Sequence, residues 1–274
     1  MRDDRTTAEP IRLYYWPSPN FGDQLSHDVV AHVSGRAVVQ KGPRQVELFA
    51  IGSLLQGLCN NFKSVPDGTP RPLVWGAGMM RPVMRREFLD NVDIRLLRGP
   101  VSAAILDLPM TAFGDPGLLA PEAMGPPPDR QDRIVVIPHH AQMEDGRFEA
   151  MVARDPALHL VDPRQSPATV CAAIASAAHV FSASLHGLIV ADAYGVPNTW
   201  IEPGGHARLK YYDYAASIGR DLQAPVALDA VPGLAARAAT GTLCYTAGIA
   251  RARASLWESF PAELRAPADA EVGA

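Results

Sequence analysis

Residues 181–201 read FSASLHGLIVADAYGVPNTWI. The stretch opens on the tail of an apolar strand, HVFSAS (179–184), and turns at Ser184. It continues as a helix-like run, LHGLIVADAYG (185–195), closed by Gly195, and returns to a strand, NTWIE (198–202). A strand, a helix and a strand in so short a span make a βαβ crossover, which joins parallel neighbours in one sheet. At the junction of strand and helix sits a histidine, His186. An imidazole there either caps or packs, or it serves a ligand at the carboxyl end of a strand.

The same alternation runs outward in both directions. IRLYYW (11–16) reads as a strand, PSPNFGD as a turn, and QLSHDVVAHVSG as a helix with Leu25, Val29, Val30 and Val33 on one face and Gly35 as its stop. Strands follow at RAVVQ (36–40), ELFAI (47–51), PLVWGAGM (72–79) and DIRLLRGP (93–100). Then come a helix at VSAAILDL (101–108), with Pro100 near its first turn, and a short strand within TAFGDPGLLAP (111–121). GPPPDRQDR (125–133) breaks the pattern. A second series starts at RIVVIPHH (133–140), with a helix at RFEAMVARD, a strand at LHLVDPR (158–164), and a helix from Ser166 as N-cap and Pro167. The prediction is an α/β protein of two units with parallel sheets: residues 1–124, a Pro-rich linker at 125–132, and residues 133–274, whose Ala-rich end beyond about 225 is helical.

Composition narrows the function classes. The 274 residues are 47% hydrophobic with a formal net charge of −4, and no clustered positive charge marks a nucleic-acid surface. Cys59, Cys171 and Cys244 are scattered without metal-ligand spacing, so neither a disulfide framework nor a metal site is expected. The opening MRDDRTTAEP lacks the apolar core of a secretion signal, and no run approaches the roughly 20 apolar residues of a membrane span. A soluble protein of a reducing cytoplasm is expected, with peripheral membrane contact left open. No heptad or apolar stripe speaks to oligomeric state.

Ligands of parallel sheets bind beyond the carboxyl ends of the strands. There the sequence places Asn20, Gly22 and Asp23, then Gly76 and Gly78, then Arg98, then His139 and His140, then Ser184, Leu185, His186 and Gly187. Arg98 can form a bidentate pair with a carboxylate or phosphate. The start of the 185–195 helix offers backbone N–H groups to an anion, and Gly187 admits a ligand close to the backbone. Asp23 reads equally as a general base toward a sugar hydroxyl and as the N-cap of its helix. Asp115, in GDPG, reads as a turn former. Tyr211, Tyr212 and Tyr214, in KYYDYAASIG (210–219), read either as a helix packed across the domain junction, the favoured reading, or as a lining of the sugar side of the cleft. The residues describe a small-anion site in an interdomain cleft.

The set NFGDQL (20–25), WGAGM (75–79), LRGPVSA (97–103), GDPGLL (114–119) and SASLHGLIVADAYGVPN (182–198) resembles the polysaccharide pyruvyl transferases, in order and spacing, over about residues 11–214. It is most similar to the short bacterial members of exopolysaccharide synthesis, including the succinoglycan type. The resemblance implies a GT-B-like fold of two Rossmann-like domains across a cleft. It implies transfer of the pyruvyl group of phosphoenolpyruvate to a sugar, typically as a cyclic ketal, with release of phosphate and no further cofactor. The acceptor is a sugar or a lipid-linked oligosaccharide.

The family's histidine falls on His186, its arginine on Arg98 and its amino-terminal acid on Asp23. Longer members carry a basic residue just before the Leu-His pair, where this chain has Ser184. Arg164, His139, His140 and Lys210 are the candidates to replace that contact. Two other readings share the architecture: a glycosyltransferase using a nucleotide sugar, and a non-catalytic partner in a polysaccharide assembly complex.

Overall fold

The computed structural model describes residues 9–205, 207–221, 224–238 and 241–267. Residues 1–8 and 268–274, which the sequence places at the outer ends of its two units, lie outside them.

The first sheet has the order β2-β1-β3-β4-β5, all parallel. Its strands are β1 (Ile11–Tyr14), β2 (Val38–Gln40), β3 (Leu48–Phe49), β4 (Leu73–Ala77) and β5 (Asp93–Leu97). Helices α1 (Phe21–Ser34), α2 (Leu55–Phe62) and α3 (Pro100–Leu106) cover it, with Pro100 in the first turn of α3. Helix α1 buries Leu25, Val29, Val30 and Val33, the face its 3.6-residue spacing predicts, and ends at left-handed Gly35. Helix α2 went unread because LQGLCNNF follows a Gly-Ser turn and is only eight residues long. The short strand expected within 111–121 is absent. Phe113 makes a lone bridge to Leu97, and a 3-10 turn (Pro116–Leu119) leads into α4 (Ala120–Met124). Asp115 caps that turn, its carboxylate accepting from Gly117 N at 2.9 Å.

The second sheet has the order β7-β6-β8-β9, again all parallel. It consists of β6 (Ile134–Ile137), β7 (Leu158–Leu160), β8 (His179–Ser182) and β9 (Asn198–Trp200). Helices α5 (Arg147–Val152), α6 (Pro167–Ala175) and α7 (Leu185–Ala193) connect these strands, and α8 (Leu209–Ser217) follows β9. Ser166 caps α6 as its sequence predicts. The crossover at 179–200 is the expected β8-α7-β9 unit. Strand β8 and all of α7 but its last residue, Ala193, are buried, which explains the absence of polar alternation in both. The two units are Rossmann-like α/β layers.

The irregular segment 125–132 is pinned rather than loose: the Arg130 guanidinium donates to the carbonyls of Ala177 and Tyr194. One buried apolar cluster runs from Ile11 and Leu13 through Leu118 and Leu119 to Ile189 and Val190, so the two sheets share a core. Beyond α9 (Val231–Ala235), the expected terminal helix is α10 (Thr246–Ser259). Helix α10 lies on the first sheet, where Trp75 Nε1 donates to Leu256 O at 3.1 Å and the Trp75 ring meets Phe260 edge-on. Gly114 packs against Ala252 and Leu256 of the same helix.

Candidate functional site

In each sheet the strand order reverses direction at one point, between β1 and β3 in the first and between β6 and β8 in the second. A crevice opens at such a point because successive crossovers leave on opposite faces. The two crevices face each other and form one cavity of about 360 Å³. The first unit lines it with Trp16, Asn20 and Asp23 after β1, Ser53 and Leu54 after β3, Met80 after β4, and Arg98 after β5. From the second unit come His139 and His140 after β6, Ser184, Leu185 and His186 after β8, and Lys210 on α8.

His186 stands in the first turn of α7, with Nε2 buried and without a hydrogen-bond partner. Burial, with Lys210 and Arg98 nearby, pushes its pKa down to about 3, so the free protein holds it neutral. Ser184 is the N-cap residue, but its side chain caps no N–H of α7. The ring is seated by the other unit. A Cβ on Gly22 would lie 2.0 Å from His186 Nδ1, and Phe21 meets the ring edge-on.

Asp23 is not an N-cap. Helix α1 begins three residues earlier than its apolar spacing suggests, and Asn20 caps it, accepting from Gly22 N at 3.3 Å. The Asn20 amide donates to Asp23 Oδ2 at 2.8 Å. Burial raises the Asp23 carboxyl to about 6, against the opposing pull of that bond and of Lys210.

Arg98 is fully buried and held on three sides. Nε and Nη2 reach Asp213 Oδ2 at 3.2 and 3.0 Å, Nη1 donates to Ser53 Oγ at 3.1 Å, and Nη2 donates to Met79 O at 2.7 Å. Asp213, on α8, also accepts from the Ser102 N–H and hydroxyl at 2.9 and 2.7 Å. This buried pair joins the two units and fixes the plane of the guanidinium. The sequence reading missed Asp213 because nothing in KYYDYAASIG pairs it with an arginine far upstream.

Lys210 lies on α8, one turn before Asp213. Its ammonium is 3.5 Å from His139 Nε2, and burial with the Arg98 charge lowers its pKa to about 8, while Asp23 pulls it the other way. His139 Nδ1 accepts from Ala141 N at 3.3 Å, which orients the ring with Nε2 toward Lys210. The His140 ring lies against His139, 4.3 Å between centroids.

Other expected contacts fall elsewhere. Arg164 is half-exposed, paired with Asp162 at 2.8 Å, and does not line the cavity. The glycines of the strand ends each seat a neighbouring side chain. The Cβ position of Gly76 is filled by Pro116, that of Gly78 by the Arg98 guanidinium, that of Gly22 by His186, and that of Gly187 by Ser182 Oγ. Among the described residues, no group of three or more His, Cys, Asp or Glu is placed to hold a metal ion, and no helix is long and apolar enough to cross a membrane.

Comparison of the sequence with known proteins assigns the chain to a family. The chain is 30% identical over 222 residues to the "Succinoglycan biosynthesis protein ExoV" of Rhizobium meliloti (strain 1021), across 76% of this chain and 65% of that protein. The chain thus matches a little under two thirds of that relative's length. The sequence model for "Polysaccharide pyruvyl transferase" matches residues 8–205. That span holds every lining residue named above except Lys210, and the chain belongs to the polysaccharide pyruvyl transferase family.

Proposed function

We propose that the cleft transfers the pyruvyl group of phosphoenolpyruvate to a sugar of a polysaccharide repeat unit, in exopolysaccharide synthesis. The observation that carries this reading is the buried, unpartnered Nε2 of His186 in a cavity that also receives Arg98 and Lys210. A neutral acceptor alone gives no reason to bury Lys210 beside the Asp213-paired Arg98 in one cavity; a small molecule with a carboxylate and a phosphate does.

Each residue then has a role. Lys210 and Arg98 hold the donor's two anionic ends, and Lys210 supplies the charge that Ser184 does not. Asp23, with a pKa near neutrality, takes the proton from the acceptor hydroxyl. His186 is neutral until the donor arrives. The donor's negative charge raises its pKa, so it can carry a proton to the methylene carbon or the departing phosphate. The methylene becomes a methyl group, the hydroxyl oxygen bonds to the cationic carbon, and the carbon–oxygen bond to phosphate breaks. The neighbouring hydroxyl closes the ketal. Of the two hydroxyl protons, one ends in the methyl group and the other on phosphate.

The test is incubation with phosphoenolpyruvate carrying ¹³C in its methylene carbon and a set of hexosides with free 4- and 6-hydroxyls. A ketal methyl resonance with one phosphate per ketal is the expected result. Phosphoenolpyruvate left intact while a nucleotide sugar is consumed would assign the cleft to glycosyl transfer instead.

A further inference from the structure

The cavity does not end at the catalytic residues. Trp16 lines it and also lines a second groove of about 470 Å³, so one indole forms a wall common to both. This ring is 58% exposed, although Trp is usually well covered in a folded protein. The loop that carries it is stiff. Pro17 and Pro19 restrict its backbone, and Gln40 Nε2 donates to Tyr15 O at 2.9 Å.

The floor of the groove is helix α1. Asp23 faces the catalytic cavity from its first turn, while Gln24, His27 and Asp28 face the groove at helical spacing. Pro167, at the start of α6, brings in the second unit. Ser18 is a further lining residue, and its buried hydroxyl makes no hydrogen bond.

We propose that this groove is the acceptor subsite, and that it takes a neutral pyranose chain with one sugar ring lying on the Trp16 indole. The inference rests on the pyruvyl-transfer reading for its direction, from Trp16 inward to Asp23. The chemistry is that of carbohydrate recognition. The flat apolar face of a pyranose packs on an aromatic ring, while its rim of hydroxyls needs both donors and acceptors. Gln24 and Ser18 offer both, Asp28 accepts, and the His27 ring, 3.2 Å from the Asp28 carboxylate, completes a polar edge. The catalytic cavity presents buried cations. This groove presents an aromatic ring with mixed amide, hydroxyl and carboxylate groups, which suits a ligand without charge. The polarity of the two compartments therefore sorts donor from acceptor.

The test is saturation-transfer NMR on the intact protein with phosphoenolpyruvate present, using cellotetraose and β-1,4-galactotetraose as probes. Trp16→Ala and Gln24→Ala are compared with Trp257→Ala, which removes the other exposed tryptophan, on α10. Trp16 is exposed, so its loss leaves the fold intact. At least one probe is expected to give saturation transfer on its ring protons in the wild type and in Trp257→Ala. Loss of the stacking contact weakens affinity for the oligosaccharide about tenfold in Trp16→Ala.

Equal transfer in Trp16→Ala and wild type would overturn the proposal, as would silence from both probes. Failure of phosphoenolpyruvate to bind would instead defeat the donor reading. In that case Trp16-dependent transfer from a probe would still support the groove as a carbohydrate site.

Discussion

The imidazole of His186 rests on the α-carbon of Gly22, a residue of the opposite unit: a Cβ at that position would sit 2.0 Å from Nδ1 and 2.3 Å from Cγ. The two sequence motifs that point most strongly to the function are therefore one contact. Gly22 leaves the space that His186 fills, and α1 carries Asp23 immediately beyond it. Gly22→Ala is expected to displace the ring rather than unfold the protein. A shift of about 1 Å at a catalytic group costs about 100-fold in turnover. Steady-state kinetics on Gly22→Ala, beside a His186→Ala variant expected to lose about 10²–10⁴, checks this. Gly22→Ala kinetics equal to wild type would show that the seat is not needed.

Lys210 is expected to set an alkaline limit on activity. Its pKa lies near 8, and it must be protonated to hold an anion. The kcat/KM for phosphoenolpyruvate, which reports the free enzyme, is expected to fall as pH rises through about 8. Lys210→Arg keeps a cation that does not deprotonate in this range. Its profile should lose that alkaline limb, even if the absolute rate is lower. An unchanged limb in Lys210→Arg would assign the titration to another group.

Asp23 illustrates a site built at the expense of stability. Its carboxyl rises from the ordinary 3.8 to about 6. Between those values the folded protein binds the proton more tightly than the unfolded chain, so stability falls as pH climbs from about 4 to about 6 and stays lower at neutrality. Asp23→Asn keeps an acceptor for the Asn20 amide and removes the charge. The variant is expected to melt higher than wild type at pH 7.5, by at most about 3 kcal/mol of stability, to lose that advantage near pH 4, and to be inactive. Thermal melts at the two pH values check the sign.

Asp213 holds the two units together through Arg98 and Ser102. Both partners of the pair are fully buried, so deleting the acid leaves the guanidinium uncompensated, at a cost of about 3–5 kcal/mol. Asp213→Ala should show a large fall in Tm. Asp213→Asn keeps an acceptor for the Ser102 N–H while removing the charge opposite Arg98, and tests positioning separately, with KM for phosphoenolpyruvate expected to rise more than kcat falls. A variant with wild-type KM would make the pair purely structural.

The sequence is informative where local rules govern. The β8-α7-β9 crossover, the Pro100 and Ser166 helix starts and the placement of residues at strand ends all follow from periodicity and backbone chemistry. What it hides is set by distance along the chain. Asp213 and Arg98 are far apart and meet only because α8 folds back onto the start of α3. Helix α10 joins the first sheet through Trp75 and Leu256, which no local pattern encodes. The glycines of the strand ends were legible as places of close approach, but what approaches is a side chain of the protein itself. Trp16 ends a stretch whose aromatic character suits β structure, and its exposure is visible only in three dimensions.

The central claim, that this cleft holds phosphoenolpyruvate between Lys210, Arg98 and His186, is tested most directly by calorimetric titration of the intact protein with phosphoenolpyruvate. Uridine diphosphate and the Lys210→Ala and His186→Ala variants serve as comparisons. Saturable one-to-one binding of phosphoenolpyruvate, weakened in both variants and absent for the nucleotide, is the expected result. Binding of uridine diphosphate with none of phosphoenolpyruvate, or phosphoenolpyruvate binding unaffected by either substitution, would contradict it.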